Sequence, residues 1–590
     1  MTDYQAPLKD IRFALHELAV LTDILNLPSF EGIDADTVDQ VLEEAGTFAR
    51  DILAPLNIPG DNAGCRVVDR QVEVADGFAD AYRQFVENGW PSLSGTPAFG
   101  GMGLPHTVGL AAFEMWNSAN MAFSLCPMLT GGAVSAIETH ATDELKDIFL
   151  PKMVSGEWSG TMVLTEPHAG SDLAALTTKA VRDGDRYRLF GTKIYITWGD
   201  HPMAENTIHL VLARLEDAPD GIRGISMFLV PKFLVNTDGS LGDRNDVFPA
   251  SVEHKLGIHA SPTCVLSFGD TTGAIGYLVG EENRGMANMF TMMNQARLEV
   301  GVQGLALSER AYQLARAYAR DRVQGVAPGH EGRVTIIHHA DVRRMLLMMK
   351  SQIEAMRGAA YCMCGDVDRS HHAADTGERE AAVARAALLT PIIKGWLSEV
   401  AQELTSLGIQ IHGGMGFVEE TGAAQHLRDA RILPIYEGTT GIQAADFVGR
   451  KIMADEGRAM KALLADMRQI VVALQDASLE PLHTALAENV HQLEAGIDWL
   501  VSEAIKDQDL PGAASVNLLM AAGVSLGTWQ LARSALAVTS DSKNYDEAFR
   551  ESKIVTASFY AEQVSPRVLM YVRAAMAGPD SVMALNEEQF

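Results

Sequence analysis

Apolar residues recur at helical spacing over the first part of the chain. Ile11, Leu15, Leu18 and Leu25 form one stripe, and Val38, Val41, Leu42 and Ala45 form another. Gly- and Pro-rich breaks such as PSLSGTPAFGGMGLP (91–105) separate the predicted helices. Near residue 158 the pattern shortens into β-rich runs: TMVLT, YRLFGTKIYIT, TIHLVLARL, GISMFLVPKF and CVLSFGD. Ile208, Leu210 and Leu212 alternate, and Asp183-Gly184 predicts a hairpin turn. Helical spacing returns near 286 with three stripes: Leu307, Ala311, Leu314, Ala315 and Tyr318; Val342, Leu346, Met349, Ile353 and Met356; and Leu389, Ile393, Trp396 and Val400. Thr390-Pro391 reads as the start of that last helix. Further helices follow 450, with breaks near Pro481, Pro511-Gly512 and Ser540-Asp541. The pattern predicts a mainly α chain with a mostly antiparallel β domain set between helical ones. The expected divisions are residues 1–157, 158–285, 286–450 and a helical C-terminal extension, 451–590.

Charge and cysteine usage narrow the function. Lys+Arg is 47 and Asp+Glu is 76, a net charge of −29, which disfavours a phosphate backbone or an anionic lipid surface as partner. The five cysteines are sparse and odd in number, so they imply free thiols in a reducing cytoplasm rather than a disulfide framework. The N-terminal MTDYQAPLKDIRF has no signal-peptide core, and no unbroken run of about 18 apolar residues predicts a membrane span.

Three segments carry candidate chemistry. TMVLTEPHAGSD (161–172) ends a strand in a polar turn that presents Thr165, Ser171 and backbone N–H groups, suited to a polar ring or a pyrophosphate. GTKIYITWGDH (191–201) sets Tyr195 and Trp198 around Thr197, aromatics beside a hydroxyl that suit a flat heterocycle. GIQIHGGMGFVEETGAAQHLRDARILPIYEGTTGIQ (408–443) contains Gly413, Gly414 and Gly416, which permit close backbone approach, and a carboxylate, Glu437, at the end of the apolar run Ile432–Tyr436. Taken singly, a strand-to-loop exit and a packed aromatic strand explain the first two better than a ligand does. His412 has no second His or Cys at ligand spacing, so no metal site is expected.

In this order, TEPHAGSD, KIYIT, QIHGGMGF and RDARILPIYEGTTGIQ resemble the acyl-CoA dehydrogenase family over roughly 60–450. The resemblance implies that family's fold: an N-terminal helical domain, a middle antiparallel β domain and a helical bundle. It implies FAD as cofactor and assigns residues one by one. Thr165 and Ser171 match the loop on the flavin ring and phosphates, with Ser171 also near the acyl-CoA. Tyr195, Ile196 and Thr197 match a W-I-T element beside the isoalloxazine, with Tyr in place of Trp. Asn294 and Arg297 fall on a D-x-x-R-P pattern beside the CoA, departing from it at Asn294 and Leu298. Arg322 and Gln324 fall on R-x-x-F-G, with Arg322 on the FAD pyrophosphate across a subunit boundary and the Phe missing. Gln410, Gly413 and Gly414 match the partner subunit's cradle for adenosine, and Thr439 a hydroxyl on FAD; Gly441 replaces a common Glu or Gln.

Glu437 matches the family's catalytic base. The resemblance implies that it takes the α-proton of a thioester while the β-hydrogen leaves as hydride to the flavin, giving a trans-2-enoyl-CoA. Gly438 lets the chain pass close to the thioester, whose carbonyl is gripped by the Glu437 N–H and a ribityl hydroxyl. The N-terminal YQAPLKDIRFAL, EHKLGIHASPTC (253–264), HHADVRRML (338–346) and the C-terminal extension resemble a longer bacterial subgroup. That subgroup includes the 3-methylmercaptopropionyl-CoA dehydrogenases of dimethylsulfoniopropionate breakdown and broader fatty-acyl-CoA dehydrogenases, and the resemblance is closer to the former. It implies an electron-transfer flavoprotein as acceptor, a homodimer or larger homo-oligomer partly built on the extension, and a cytoplasmic location. Two rival readings are an acyl-CoA oxidase and a non-enzymatic, nucleic-acid-associated relative; the net charge of −29 and the intact Glu437 segment argue against the second.

Overall fold

The computed structural model describes residues 4–540 and 544–590. The chain packs as two units: Met1–Glu44, Pro105–Ser118 and Arg297–Phe590, and Ala45–Leu104 with Ala119–Ala296.

The second unit is organised by an eight-stranded sheet. Arg186–Thr197, Ala274–Leu278, Ile225–Pro231 and Asn206–Leu215 pair in that order, all antiparallel. Lys179–Asp183 then bonds antiparallel to Arg186–Thr197 and parallel to Asn206–Leu215, so five strands close into a ring. Closure leaves those strands no free edge within the ring. Asp183 pairs with Arg186 across the expected Asp183-Gly184 turn, with Gly184 at φ +67°. Trp158–Val163 joins Asn206–Leu215 in parallel, so the sheet is mostly, not wholly, antiparallel. The alternation at Ile208, Leu210 and Leu212 marks one packed face, against Leu129, Ala133 and Ile137; Val211 and Ala213 pack on the other, with Phe228 and Val230.

The first unit is helical. Long helices Gly285–Asp321, Ala340–His372 and Thr376–His412 follow the three predicted stripes, the first of them entering this unit at Arg297. Their polar anchor is Arg357, fully buried. Its guanidinium donates to Glu114 Oε1 at 2.7 Å and Glu309 Oε2 at 2.9 Å, and the Tyr361 hydroxyl donates to Glu114 Oε2 at 2.6 Å. The extension forms Arg458–Asp476, Glu480–Glu503, Leu510–Ser540, Glu547–Gln563 and Arg567–Ala575, with breaks where Pro481 and Pro511-Gly512 predict them. Ser540 ends its helix; Asp541 lies outside the described residues. The extension also holds the N-terminal helices. Lys553 Nζ bonds Asp10 at 2.7 Å and Glu354 at 3.0 Å, Arg533 bonds the Leu18 carbonyl at 2.8 Å, and Tyr545 bonds Glu17 at 2.6 Å.

One local expectation is corrected, and two features lie outside the pattern of the sequence. Thr390 and Pro391 lie inside Thr376–His412, not at its start; the N-cap is Asp375, whose carboxylate accepts the Glu378 N–H at 2.8 Å. Both residues are buried, and the Thr390 hydroxyl donates to the Ala386 carbonyl at 2.8 Å, so packing overrides the local start signal. The N-terminal region holds a hairpin, Arg66–Val68 with Gln71–Glu73, that turns on Asp69 and Arg70 at φ +48° and +60° without the usual Asn or Gly. Finally, His106–His140 and Leu510–Ser540 are long and apolar enough to cross a membrane by composition, which a search for an unbroken apolar run misses; both are mostly buried within the protein.

Removing the charge at Arg357 leaves Glu114 and Glu309 buried without their cation, which costs about 3–5 kcal/mol, whereas losing a surface pair such as Arg12–Glu43 costs under about 1 kcal/mol. Urea unfolding of Arg357→Met is therefore expected well below wild type and of Arg12→Ala close to it; equal midpoints for the two variants would contradict this ranking.

Candidate active site

The segment 432–443 folds back on itself. Ile435 and Tyr436 N–H groups both return to the Ile432 carbonyl, at 2.9 and 3.1 Å, and Thr440 N–H returns to Pro434 O at 3.0 Å. Two successive left-handed residues, Glu437 at φ +56° and Gly438 at φ +91°, make the reversal possible. A Cβ at Gly438 would lie 2.7 Å from Gln443 Nε2, so only glycine fits there without displacing Gln443. Glu437 carries a side chain in a region that costs an ordinary L-residue about 1–2 kcal/mol. Strain kept at a carboxylate points to use. The helix Thr440–Asp446 follows at once, capped by Thr439 Oγ1, which accepts the Ile442 N–H at 3.3 Å.

Glu437 is half-buried beside two cations. Burial raises its carboxyl to about 7, against the opposing pull of Lys394 and then Arg297. Lys394, fully buried on Thr376–His412, donates to the carbonyls of Leu433 at 2.8 Å and Gly438 at 2.6 Å, one on each side of Tyr436-Glu437. Burial lowers its ammonium to about 8. Gln443 Nε2 donates to the Glu437 carbonyl at 3.1 Å, the Tyr436 hydroxyl bonds Gln303, and the Thr440 hydroxyl bonds Glu399 at 2.6 Å. Of the residues singled out in the sequence, Glu437, Gly438, Thr439 and Arg297 gather here. Arg297, placed beside CoA by the resemblance, is itself buried, with Nη1 3.9 Å from Asp446 Oδ2. Sequence reasoning missed Lys394, Gln443, Gln303 and Asp446. The one available signal was a lysine inside the apolar run TPIIKGW.

Arg322 and Gln324 lie exposed just beyond Gly285–Asp321, and Gln410, Gly413 and Gly414 lie exposed at the end of Thr376–His412. The Tyr318 and His412 rings, 4.5 Å apart, bring these two helix ends together. Nothing lies within 4 Å of where a Cβ would stand on Gly413 or Gly414, so the backbone there is open to a ligand. His412 Nδ1 engages the Gly408 carbonyl at 2.7 Å, a helical contact.

In the second unit, Ile194 N–H donates to Thr165 O at 2.9 Å, which joins the TEPHAGSD loop to the KIYIT strand. Against Thr263–Phe268 the register skips between Lys193 and Ile196, a bulge at which Tyr195 takes φ +61°. The bulge turns Tyr195 outward, 60% exposed, while Ile196 stays buried and Thr197 pairs with Thr263. Ser171 is exposed on the loop, and Asn294 on its helix. A buried pair absent from the sequence reading holds the loop: Lys193 Nζ donates to Leu164 O at 2.8 Å and Glu166 Oε1 at 2.9 Å. Although burial opposes it, Lys193 and the Thr177 and Thr178 donors lower Glu166 to about 2. An outward aromatic beside hydroxyls fits a flat polar ring. The exposed Arg322 guanidinium and open glycines, on their own unit, fit a phosphate-bearing group.

Comparison with known proteins matches residues 37–157, 161–271 and 283–453 to the N-terminal, middle and C-terminal domains described for acyl-CoA dehydrogenases. Residues 459–586 match a domain described as acetyl-CoA dehydrogenase C-terminal like. The chain is 46% identical over 567 residues to the 3-methylmercaptopropionyl-CoA dehydrogenase of Ruegeria pomeroyi, covering 95% of this chain and 96% of that one. It is 36% identical to a butyryl-CoA dehydrogenase of Syntrophomonas wolfei, covering 100% and 99%. The crystal structure of Caenorhabditis elegans ACDH-11 in complex with C11-CoA superposes with a TM-score of 0.78 at 21% identity, covering 99% of this chain and 96% of that one, a likeness of fold.

Because Glu437 binds its proton more tightly folded, near 7, than in an unfolded chain, near 4.5, its protonation stabilises the fold at acid pH. That contribution is lost as pH rises from about 4.5 through about 7. Glu437→Gln is therefore expected to raise stability by about 1–3 kcal/mol at pH 8 and little at pH 4.5. Denaturation of both proteins at the two pH values checks it; a gain of equal size at both would contradict it.

Proposed function

Since the chain belongs to the acyl-CoA dehydrogenase family, we propose that Glu437 is the base of an FAD-dependent α,β-dehydrogenation that converts an acyl-CoA thioester to a trans-2-enoyl-CoA. The observation that carries this reading is a carboxylate held on a left-handed turn, with its pKa raised to about 7 between two cations. A general base works best with a pKa near the operating pH. Glu437 takes the α-hydrogen as a proton. FAD supplies the acceptor for the β-hydrogen and its electron pair, which leaves a carbon–carbon double bond. Pro434 and Tyr436 would limit water around the carboxylate, while Ile435 is 48% exposed.

Thr165 and Ser171 would hold the flavin ring and its phosphates, with Tyr195, Ile196 and Thr197 beside the ring; Arg322, Gln324, Gln410, Gly413 and Gly414 would hold the pyrophosphate and adenosine end across a subunit boundary, and Thr439 would bring a hydroxyl to FAD. Ser171, Asn294, Arg297 and Gly438 would line the acyl-CoA path. The substrate we assign is 3-methylmercaptopropionyl-CoA, giving methylthioacryloyl-CoA, a step of dimethylsulfoniopropionate degradation; near-full-length similarity to the Ruegeria relative supports it. The parallel similarity to a butyryl-CoA dehydrogenase favours a short unbranched chain as the second reading, because a thioether and a methylene are close in size. An electron-transfer flavoprotein as acceptor, a homodimer or larger homo-oligomer, and a cytoplasmic setting complete the reading. The four expected domains, divided at 157, 285 and 450, belong to the same reading, which the matches over 37–157, 161–271, 283–453 and 459–586 support.

An anaerobic titration of the flavin absorbance with 3-methylthiopropanoyl-CoA, butanoyl-CoA and palmitoyl-CoA tests both levels. The first is expected to bleach the flavin at the lowest concentration. Glu437→Gln is expected to keep FAD and to bleach at least a thousandfold more slowly, in line with loss of a general base. A bound flavin that none of the three reduces, or an active Gln variant, overturns the proposal. Rapid oxygen uptake on substrate addition would reassign the enzyme as an oxidase.

A further inference from the structure

The buried ammonium of Lys394 differs from the other cation near the base. Arg297 faces Asp446 at 3.9 Å, and Asp446 also faces Arg450 at 3.4 Å, so the Arg297 charge is shared with a carboxylate. Lys394 is instead bonded to two neutral carbonyls, Leu433 O and Gly438 O. A fully buried charge needs an opposite charge nearby. The carboxylates that act on Lys394 are Glu437 first and Glu399 second, and Glu399 is engaged by the Thr440 hydroxyl. The two carbonyls bracket Tyr436-Glu437, so the side chain also ties the ends of the strained turn. A lysine placed only for packing would not span that turn.

Resting on the reading of Glu437 as base, we propose that Lys394 is a positioning residue for the reaction: it fixes the left-handed Glu437 turn through Leu433 O and Gly438 O, and its charge keeps Glu437 ionised. The groups that set the Glu437 titration are then Lys394 on Thr376–His412, Arg297 on Gly285–Asp321, Asp446 and Arg450 acting through Arg297, Glu399 acting through Lys394, and Tyr436 on the same segment, bonded to Gln303. Removing the cation raises the Glu437 midpoint, and removing the donors loosens the turn. These two effects separate by pH. Loss of charge moves the acid limb of kcat/KM upward, whereas loss of geometry lowers the alkaline plateau and leaves the limb in place.

The test compares Lys394→Met, Lys394→Arg and wild type as FAD-loaded full-length proteins, with Lys394→Gln in place of Met should the Met protein fail to load FAD. Two readouts are taken: the pH profile of flavin reduction by the acyl-CoA that bleaches wild type best, and an infrared titration of the Glu437 carboxyl, assigned by its loss in Glu437→Gln. The neutral variant is expected to raise both midpoints by about one pH unit, which makes the rate about tenfold slower on the acid side. It is also expected to lower the plateau. Lys394→Arg is expected to keep the midpoint and lose only plateau. An unmoved midpoint in the neutral variant overturns the proposal and leaves Lys394 a packing residue. A carboxyl midpoint that rises while no acyl-CoA bleaches the wild-type flavin supports the Lys394–Glu437 linkage and removes the dehydrogenase reading instead.

Discussion

A guanidinium sealed from water dictates the positions of whatever surrounds it, and Arg357 does this for the helical unit. Its donors reach one carboxylate on each of two other helices, Glu114 and Glu309, and Tyr361 shares Glu114. Apolar stripes let helices slide past one another with small changes in energy. A buried ion pair does not, because a shift of an ångström leaves a charge unpaired in a medium that penalises it strongly. Register among these helices is set here, and Thr376–His412, which carries Lys394, packs within the same unit as the Glu437 turn.

The turn itself is built on the opposite balance. Glu437 combines a backbone conformation that L-residues avoid with burial that its charged form resists. Neither feature stabilises the fold, and both suit a base that must be aimed and must be basic. Stability is supplied elsewhere, by the extended apolar packing of the long helices and by the closed strand ring of the second unit, so that a small locus can remain unfavourable. Near the loop at Thr165 a second buried lysine, Lys193, joins the Leu164 carbonyl to the Glu166 carboxylate, as Lys394 joins the Leu433 and Gly438 carbonyls.

Much of this was legible in the chain. Helical periodicity located the long helices, and alternation with the Asp183-Gly184 turn located the β region, because both signals are local. The carboxylate at the end of ILPIY was conspicuous because an acid closing an apolar run contradicts simple burial. What stayed hidden depends on distant partners. Lys394 acquires meaning only from carbonyls some forty residues later. The ring closure needs Lys179–Asp183 to pair with two strands at once. The hairpin at Asp69-Arg70 lacks the residues that usually announce such a turn. Thr390-Pro391 gave a valid local signal that burial overrode.

The contacts from the extension back to the first helices have a consequence for how the protein is made. Asp10, Glu17 and Leu18 find their partners at Lys553, Tyr545 and Arg533, at separations of 543, 528 and 515 residues. At about 5–20 residues per second, the ribosome finishes those partners roughly 25–100 s after the first helices emerge. Until then Ile11, Phe13 and Leu15, all buried in the finished protein, have no completed surface to cover them. Through nearly all of its synthesis the chain thus lacks the partners that cover this apolar segment in the finished protein, and the contacts that cover it join early-made residues to late-made ones.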